Sequence, residues 1–278
     1  MKKTTFASWA LLAALTVGTA MPAVSFAEEA AENNPELAKQ LNSTGTVEVT
    51  EGQSGDKTPL DPEDPSTEVP KDPEVVDNNP NTGAMSIEKT TSLNFGKIAT
   101  SANKVVQYAV PVIFDIPVIP GELDGETKKE NRGNFVQWTD VRAGANYGYT
   151  ITAELSSQFT GKGGTKLNAA QINYSNGEVR TTDADQPQLD QMNTAFSLME
   201  AEEGKAGENA VTVVTADKTK QQGKGRFIMA FGKSDADKDK DTTGKSVQLE
   251  IPSKTASSMA ADTYTAKVTW KLLLRHKD

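Results

Sequence analysis

The sequence predicts an all-β protein, an antiparallel β-sandwich or barrel-like domain with a long Pro/Asp/Glu-rich insert. Three observations predict it. The last stretch alternates with period two: Tyr264, Ala266, Val268, Trp270, Leu272 and Leu274 fall on one face, and Thr265, Lys267, Thr269, Lys271 and Arg275 on the other, with only Leu273 out of pattern. One apolar and one polar face mark a strand of an antiparallel sheet packed on one side. Elsewhere, short β-branched and aromatic runs are separated by Gly, Asn and Asp turns, with no sustained helical spacing. Between Glu51 and Thr82, Pro59, Pro62, Pro65, Pro70, Pro73 and Pro80 are interleaved with Asp and Glu while apolar residues thin out, the composition of an extended, disordered insert.

Taken in order, Met1 to Ala27 reads as a secretory signal peptide. It has a basic start at Lys2-Lys3, an apolar core from Phe6 to Ala20 and a small-x-small cleavage site at Ser25-Phe26-Ala27. No later stretch is long enough to span a bilayer, so no transmembrane segment is expected in the mature chain. Losing the peptide removes two lysines and no acids, which moves the net charge from -9 to about -11, with 27 Lys+Arg against 38 Asp+Glu. That acidity argues against nucleic acid as a partner and against simple electrostatic capture by anionic polymers or lipid. With no cysteine among the 278 residues, an exported chain must be held by its core alone.

A lead-in follows over residues 28–45, with a short helix possible from a cap at Asn34 and Pro35 to Leu41. The folded domain is expected over residues 46–278. Thr46 to Thr50 alternates as a β-branched strand, and residues 51–82 form the insert. Beyond it Leu93 and Phe95 share a strand face before a turn at Gly96, and Val105 to Pro120 reads as a strand run that Pro111 and Pro117 push to an edge. Glu122 to Asn134 is polar and reads as an exposed loop. Asn176-Gly177 is a two-residue hairpin signal between Gln171–Tyr174 and Glu178–Arg180. Gln188 to Glu203 mixes helical and strand spacing, and the all-β context favours a strand over 195–199. Further strands are expected at 211–214, 226–231 and 246–251.

Several of these stretches carry a common pattern. The Y-T-A-x-V-T-W-x-L run at Tyr264–Leu272, Gly83 to Ile87, Leu93-Asn94-Phe95-Gly96, and Gln137, Thr139, Asp140, Arg142 and Gly148 resemble the motifs of the WxL domain, as do the spacing of Gly164 to Gly177 and the run into Phe231-Gly232. The WxL domain is a module of surface proteins in low-GC Gram-positive bacteria. Two positions depart from its pattern: Tyr149-Thr150-Ile151 stands where Trp-x-Leu is expected, and Trp138 replaces a β-branched residue. The resemblance implies an exported protein held non-covalently on the cell wall through peptidoglycan. A second class of reading is an assembly subunit that reaches the wall through a companion WxL-interacting surface protein. The candidate contacts for wall or partner are Trp270, Leu272, Tyr264, Tyr149, Ile151, Trp138, Asp140 and Arg142.

Catalysis finds no support in the residues. Cysteine is absent, and the single histidine, His276, is third from the end, so no nucleophile, base and orienting group can be named together. No enzyme activity and no cofactor are expected. Asp235 to Asp241 alternates carboxylates like a calcium loop, but Lys240 and Ser246 occupy the positions where an EF-hand needs Gly and Glu. A solvated loop, with no metal, is the expectation. Asp140 and Arg142 share a strand face, either as a bracing pair or as a contact for carboxylates and hydroxyls. Trp270 is either core or a partly exposed platform, and Lys267, Lys271 and Arg275 give its strand a basic opposite face that also blunts a sheet edge.

Overall fold

A computed structural model of the chain describes residues 43–54, 59–144, 148–183, 185, 188–201, 205 and 207–274. The signal peptide, the short helix at 34–41, Arg275 and His276 lie outside the described residues. The chain divides after Glu48; in the first unit residues 43–48 carry no strand, and the fold that follows is that of Val49 onward.

In chain order the strands are β1 (Leu60–Asp61), β2 (Asp64–Glu68), β3 (Val76–Asn78), β4 (Met85–Thr91), β5 (Val105–Tyr108) and β6 (Val112–Pro117). Next come β7 (Thr127–Arg132), β8 (Asn134–Asp140), β9 (Tyr149–Thr160), β10 (Gln171–Tyr174), β11 (Gly177–Thr181) and β12 (Gln191–Met192). The last are β13 (Phe196–Met199), β14 (Val211–Ala216), β15 (Gly225–Phe231), β16 (Val247–Ile251), a short helix α1 (Ser253–Ser258) and β17 (Thr265–Leu274).

They form a five-stranded sheet β11-β15-β8-β4-β3, two four-stranded sheets β13-β10-β16-β5 and β12-β14-β9-β17, and two-stranded pairs β1-β2 and β6-β7. Every sheet is open, so the barrel alternative is set aside. All ladder pairings between these strands are antiparallel.

The five-stranded sheet is the middle layer. One face, with Val136, Trp138, Phe227, Met229 and Phe231, meets Ile151, Leu155, Ile172, Leu198, Val214 and Leu249 from the four-stranded sheets in the main core. Its other face, with Phe135, Ile228, Ala230 and Val76 of β3, is covered by Val112, Phe114 and Ile116 of β6 and by Leu60 and Val69. Two covered faces explain why β8 is buried at all seven positions without alternation.

That second core overturns the disordered insert. Within residues 51–82 the structure places β1, β2 and β3, and Leu60, Val69 and Val76 are 6%, 1% and 8% exposed. The few apolar residues there sit opposite an apolar sheet face, and charged ones anchor them. Arg132 makes two bonds to Asp61, Nε to Oδ1 at 2.6 Å and Nη2 to Oδ2 at 2.7 Å. Ser234 donates from N and Oγ to Glu63 at 2.7 Å each, and buried Lys89 donates to Asp72 at 2.5 Å. Burial alone would lower the Arg132 pKa, but the Asp61 carboxylate outweighs it and the pKa is raised.

Three further expectations change. Thr46 to Thr50 forms no strand and lies exposed, since a five-residue β pattern needs a partner strand to persist. The loop expected over 122–134 contains β7, paired along its whole length with β6; Lys128 and Lys129 face water while Arg132 turns in to Asp61. Asn176-Gly177 is not a hairpin turn: β10 pairs with β13 and β16, whereas β11 pairs with β15. The chain changes sheets there. Asn176 takes φ 51, and a Cβ on Gly177 would crowd the Met229 methyl at 2.6 Å and Thr194 O at 3.1 Å, so the crossing is tight at this glycine.

Candidate functional site

The two motif segments come together on neighbouring strands. β17 pairs with β9 so that Trp270 lies opposite Ala153, Leu272 opposite Ile151 and Leu274 opposite Tyr149. The eight candidate residues nonetheless divide into two groups.

The first group is interior. Trp138, Tyr149, Ile151 and Asp140 are each 0% exposed, which leaves them no surface to offer a ligand. Trp138 donates from Nε1 to Tyr149 Oη at 2.6 Å, and its ring stacks on Phe227 with centroids 5.7 Å apart. Burial drives the Tyr149 pKa well above its ordinary value, with the Trp138 hydrogen bond opposing the shift. Asp140 receives Arg142 through Nε at 2.9 Å, Nη2 at 2.5 Å and the backbone N–H at 3.2 Å. That carboxylate bond raises the Arg142 pKa. The guanidinium is thereby committed to closing the corner after β8, and Arg142 is half-buried rather than presented to solvent. The substitution of Trp by Tyr at position 149 accordingly reads as core chemistry: the phenol supplies the acceptor that the extra indole at 138 requires.

The second group, Tyr264, Trp270 and Leu272, is partly buried and packs against the main core from β17. Trp270 meets Tyr174 and Phe196 edge-on at 6.0 and 6.3 Å, and Phe231 at 6.2 Å with a 32° tilt. Tyr264 closes the turn before β17, its hydroxyl accepting from Ala260 N at 3.1 Å and donating to Ala260 O at 3.0 Å.

These three residues line a groove in three sections. A section of about 380 Å³ lies between Tyr264–Val268 and Trp270 on one wall and Asp77, Thr90–Leu93 and Phe95 on the other. A section of about 560 Å³ continues past Phe95, Lys97, Phe159, Asp262 and Tyr264. A third, of about 310 Å³, runs from Trp270 and Leu272 to Asn79, Asn81 and Met85. Tyr264 is shared by the first two and Trp270 by the first and third. β17 is the end strand of its sheet, so among the described residues one backbone edge has no ladder partner. Lys271 pairs with Glu154 at 2.7 Å, while exposed Lys267 borders the first section.

The chain matches the family model of the WxL domain, described as surface cell wall-binding, over residues 36–274. It belongs to the WxL family. No curated protein and no solved structure matches it. The match spans both ends of the groove and takes in residues 51–82, so the segment that composition marks as an insert lies inside the WxL domain. Sequence reasoning missed Asp77, Asn79 and Asn81 as groove residues because they sit in that segment. Lys97 and Asp262 lie in turns with no chemical signature of their own.

Among the described residues no cluster of three or more His, Cys, Asp or Glu could hold a metal ion. In the Asp235–Asp241 loop the acids bond to the chain itself: Asp235 Oδ1 accepts from Asp237 N at 2.8 Å and Asp237 Oδ1 from Asp239 N at 3.1 Å. No described helix is long and apolar enough to cross a membrane. The family model describes the WxL domain as a surface, cell wall-binding domain.

Proposed function

We propose that this WxL protein is exported and associates non-covalently with the cell wall through peptidoglycan, held in the groove beside β17. The observation that carries this reading is the position of Trp270. The indole of the W-x-L motif is half-buried where two groove sections meet, so one residue both braces the core and borders the accessible channel. A long channel lined by Tyr264, Thr265, Asn79, Asn81 and Ser92 offers repeated polar contacts beside apolar walls, as an extended polymer requires. The signal peptide at 1–27 supplies export.

A second reading makes the chain an assembly subunit that reaches the wall through a companion surface protein. The unpartnered edge of β17 favours it, because such an edge accepts a strand from another chain.

Retention of residues 28–278 on washed peptidoglycan, freed of proteins and other wall polymers, separates the two readings. Saturable retention, reduced in a folded Trp270→Ala variant, supports direct binding. Absence of retention at both low and physiological salt overturns it in favour of the companion.

A further inference from the structure

Resting on the wall-binding reading, we infer that the groove takes the peptide part of peptidoglycan rather than its glycan strand, as an extended segment laid along the open edge of β17.

The edge itself is the first reason. β17 runs for ten residues and, among the described residues, pairs only with β9, so its other edge is open to a strand beside the residues of β17 that line the groove. A peptide carries main-chain amide donors and acceptors that such an edge can pair, and a chain of sugar rings has none in its backbone.

The rings are the second. Sugar recognition uses an open aromatic face, yet the aromatic residues here face one another. Trp270 is packed on Tyr174, Phe196 and Phe231, and Phe95 meets Phe159 edge-on at 5.9 Å. What they present to the groove is an apolar floor, suited to the small side chains of a peptide.

Charge is the third. Exposed Lys97 and Lys267 line the groove together with exposed Asp77 and Asp262. Asp77 accepts from Ser92 Oγ at 2.5 Å, and Asp262 from Thr263 N at 2.7 Å, so both carboxylates are held in place. Wall peptides carry carboxylates and the amine of a diamino acid, which match both signs; the hydroxyl and acetamide groups of the glycan match neither. A second copy of this chain fits less well. Antiparallel self-pairing of β17 would bring Lys267 and Lys271 of the two copies together, where like charges oppose pairing.

The test compares retention of residues 28–278 on intact peptidoglycan and on the same glycan after an amidase has removed its peptides. Stripping the peptides is expected to weaken retention by about tenfold or more. The free stem tetrapeptide should compete for the intact wall, an N-acetylglucosamine tetramer should not, and Lys267→Glu should weaken retention without changing the melting temperature. Equal retention on stripped glycan, or competition by the sugar tetramer alone, would overturn the inference and leave the wall-binding reading standing. An unrelated acidic peptide competing as well as the stem peptide would overturn it in favour of a protein strand. No retention on either polymer would remove the wall-binding reading first, and this inference with it.

Discussion

Trp138 and Tyr149 show how a residue's burial sets its role. Each carries one polar atom into the main core, and the 2.6 Å bond between them satisfies both. Trp138→Phe keeps the ring and leaves the phenol without its donor. The expected cost is about 1–3 kcal/mol, read as a lower urea midpoint with an unchanged slope. Burial raises the pKa of both Tyr149 and Tyr174, which makes stability fall in alkali. A phenol whose folded pKa exceeds its unfolded value stabilises the fold fully below about pH 10, and that contribution is lost as pH rises further. Of the five tyrosines, these two should therefore ionise only as the protein unfolds. Following tyrosinate absorbance and circular dichroism in one titration checks this; ionisation of all five before any loss of structure would contradict it. At Trp270, truncation to Ala should cost about 3 kcal/mol, and denaturant unfolding of the variant measures it.

At the scale of elements, the segment from β1 to β3 makes the most testable claim. Composition assigns it to disorder, yet it closes the second face of the central sheet and is anchored by a pair whose side chains are 9% and 4% exposed, Arg132 and Asp61. Arg132→Ala leaves a carboxylate buried without its partner, a loss of about 3–5 kcal/mol. Replacing residues 60–78 by a Gly/Ser linker exposes Phe114, Phe135 and Ile228. The variant should bind a hydrophobic dye and lose cooperative unfolding, whereas a true insert would be removed without effect. Strands such as β10, β13, β16 and β17 were legible from alternation, because one face of each packs on the core and the other is less buried. β1 to β3 were not, since what covers their few apolar residues and anchors Asp61, namely Phe114 of β6, Arg132 of β7 and Phe135 of β8, lies far along the chain. The same holds for the sheet change at Asn176-Gly177: a local turn signal states that the chain bends, and not which sheet receives it.

For the whole molecule, the decisive quantity is the acidic balance, a net charge of -9 over the full sequence. A wall rich in anionic polymers repels such a protein at long range, over a screening length of about 8–10 Å near physiological salt. Raising the salt from about 20 to 150 mM should therefore speed capture by intact cell walls, the opposite of what a basic wall-binding domain would show. Stopped-flow or surface-sensor association rates measure this directly, and a rate that falls with salt would contradict it. Lys97 and Lys267 then act only at contact range, inside the groove.

By itself the sequence determined the all-β class, the absence of cysteine, the acidic balance, and the W-x-L strand whose pattern the structure retains in β17. These are properties of composition and of local periodicity, which neighbours along the chain decide. Tertiary structure decided which motif residues are reachable. Trp138, Tyr149, Ile151 and Asp140 read as candidate contacts in a string of letters, but two packed sheets seal them. Trp270, by contrast, lies on a strand at the end of its sheet and keeps part of its surface. Whether an aromatic residue is core or contact depends on what lies across the sheet from it, and that is set by pairings between segments far apart in the chain.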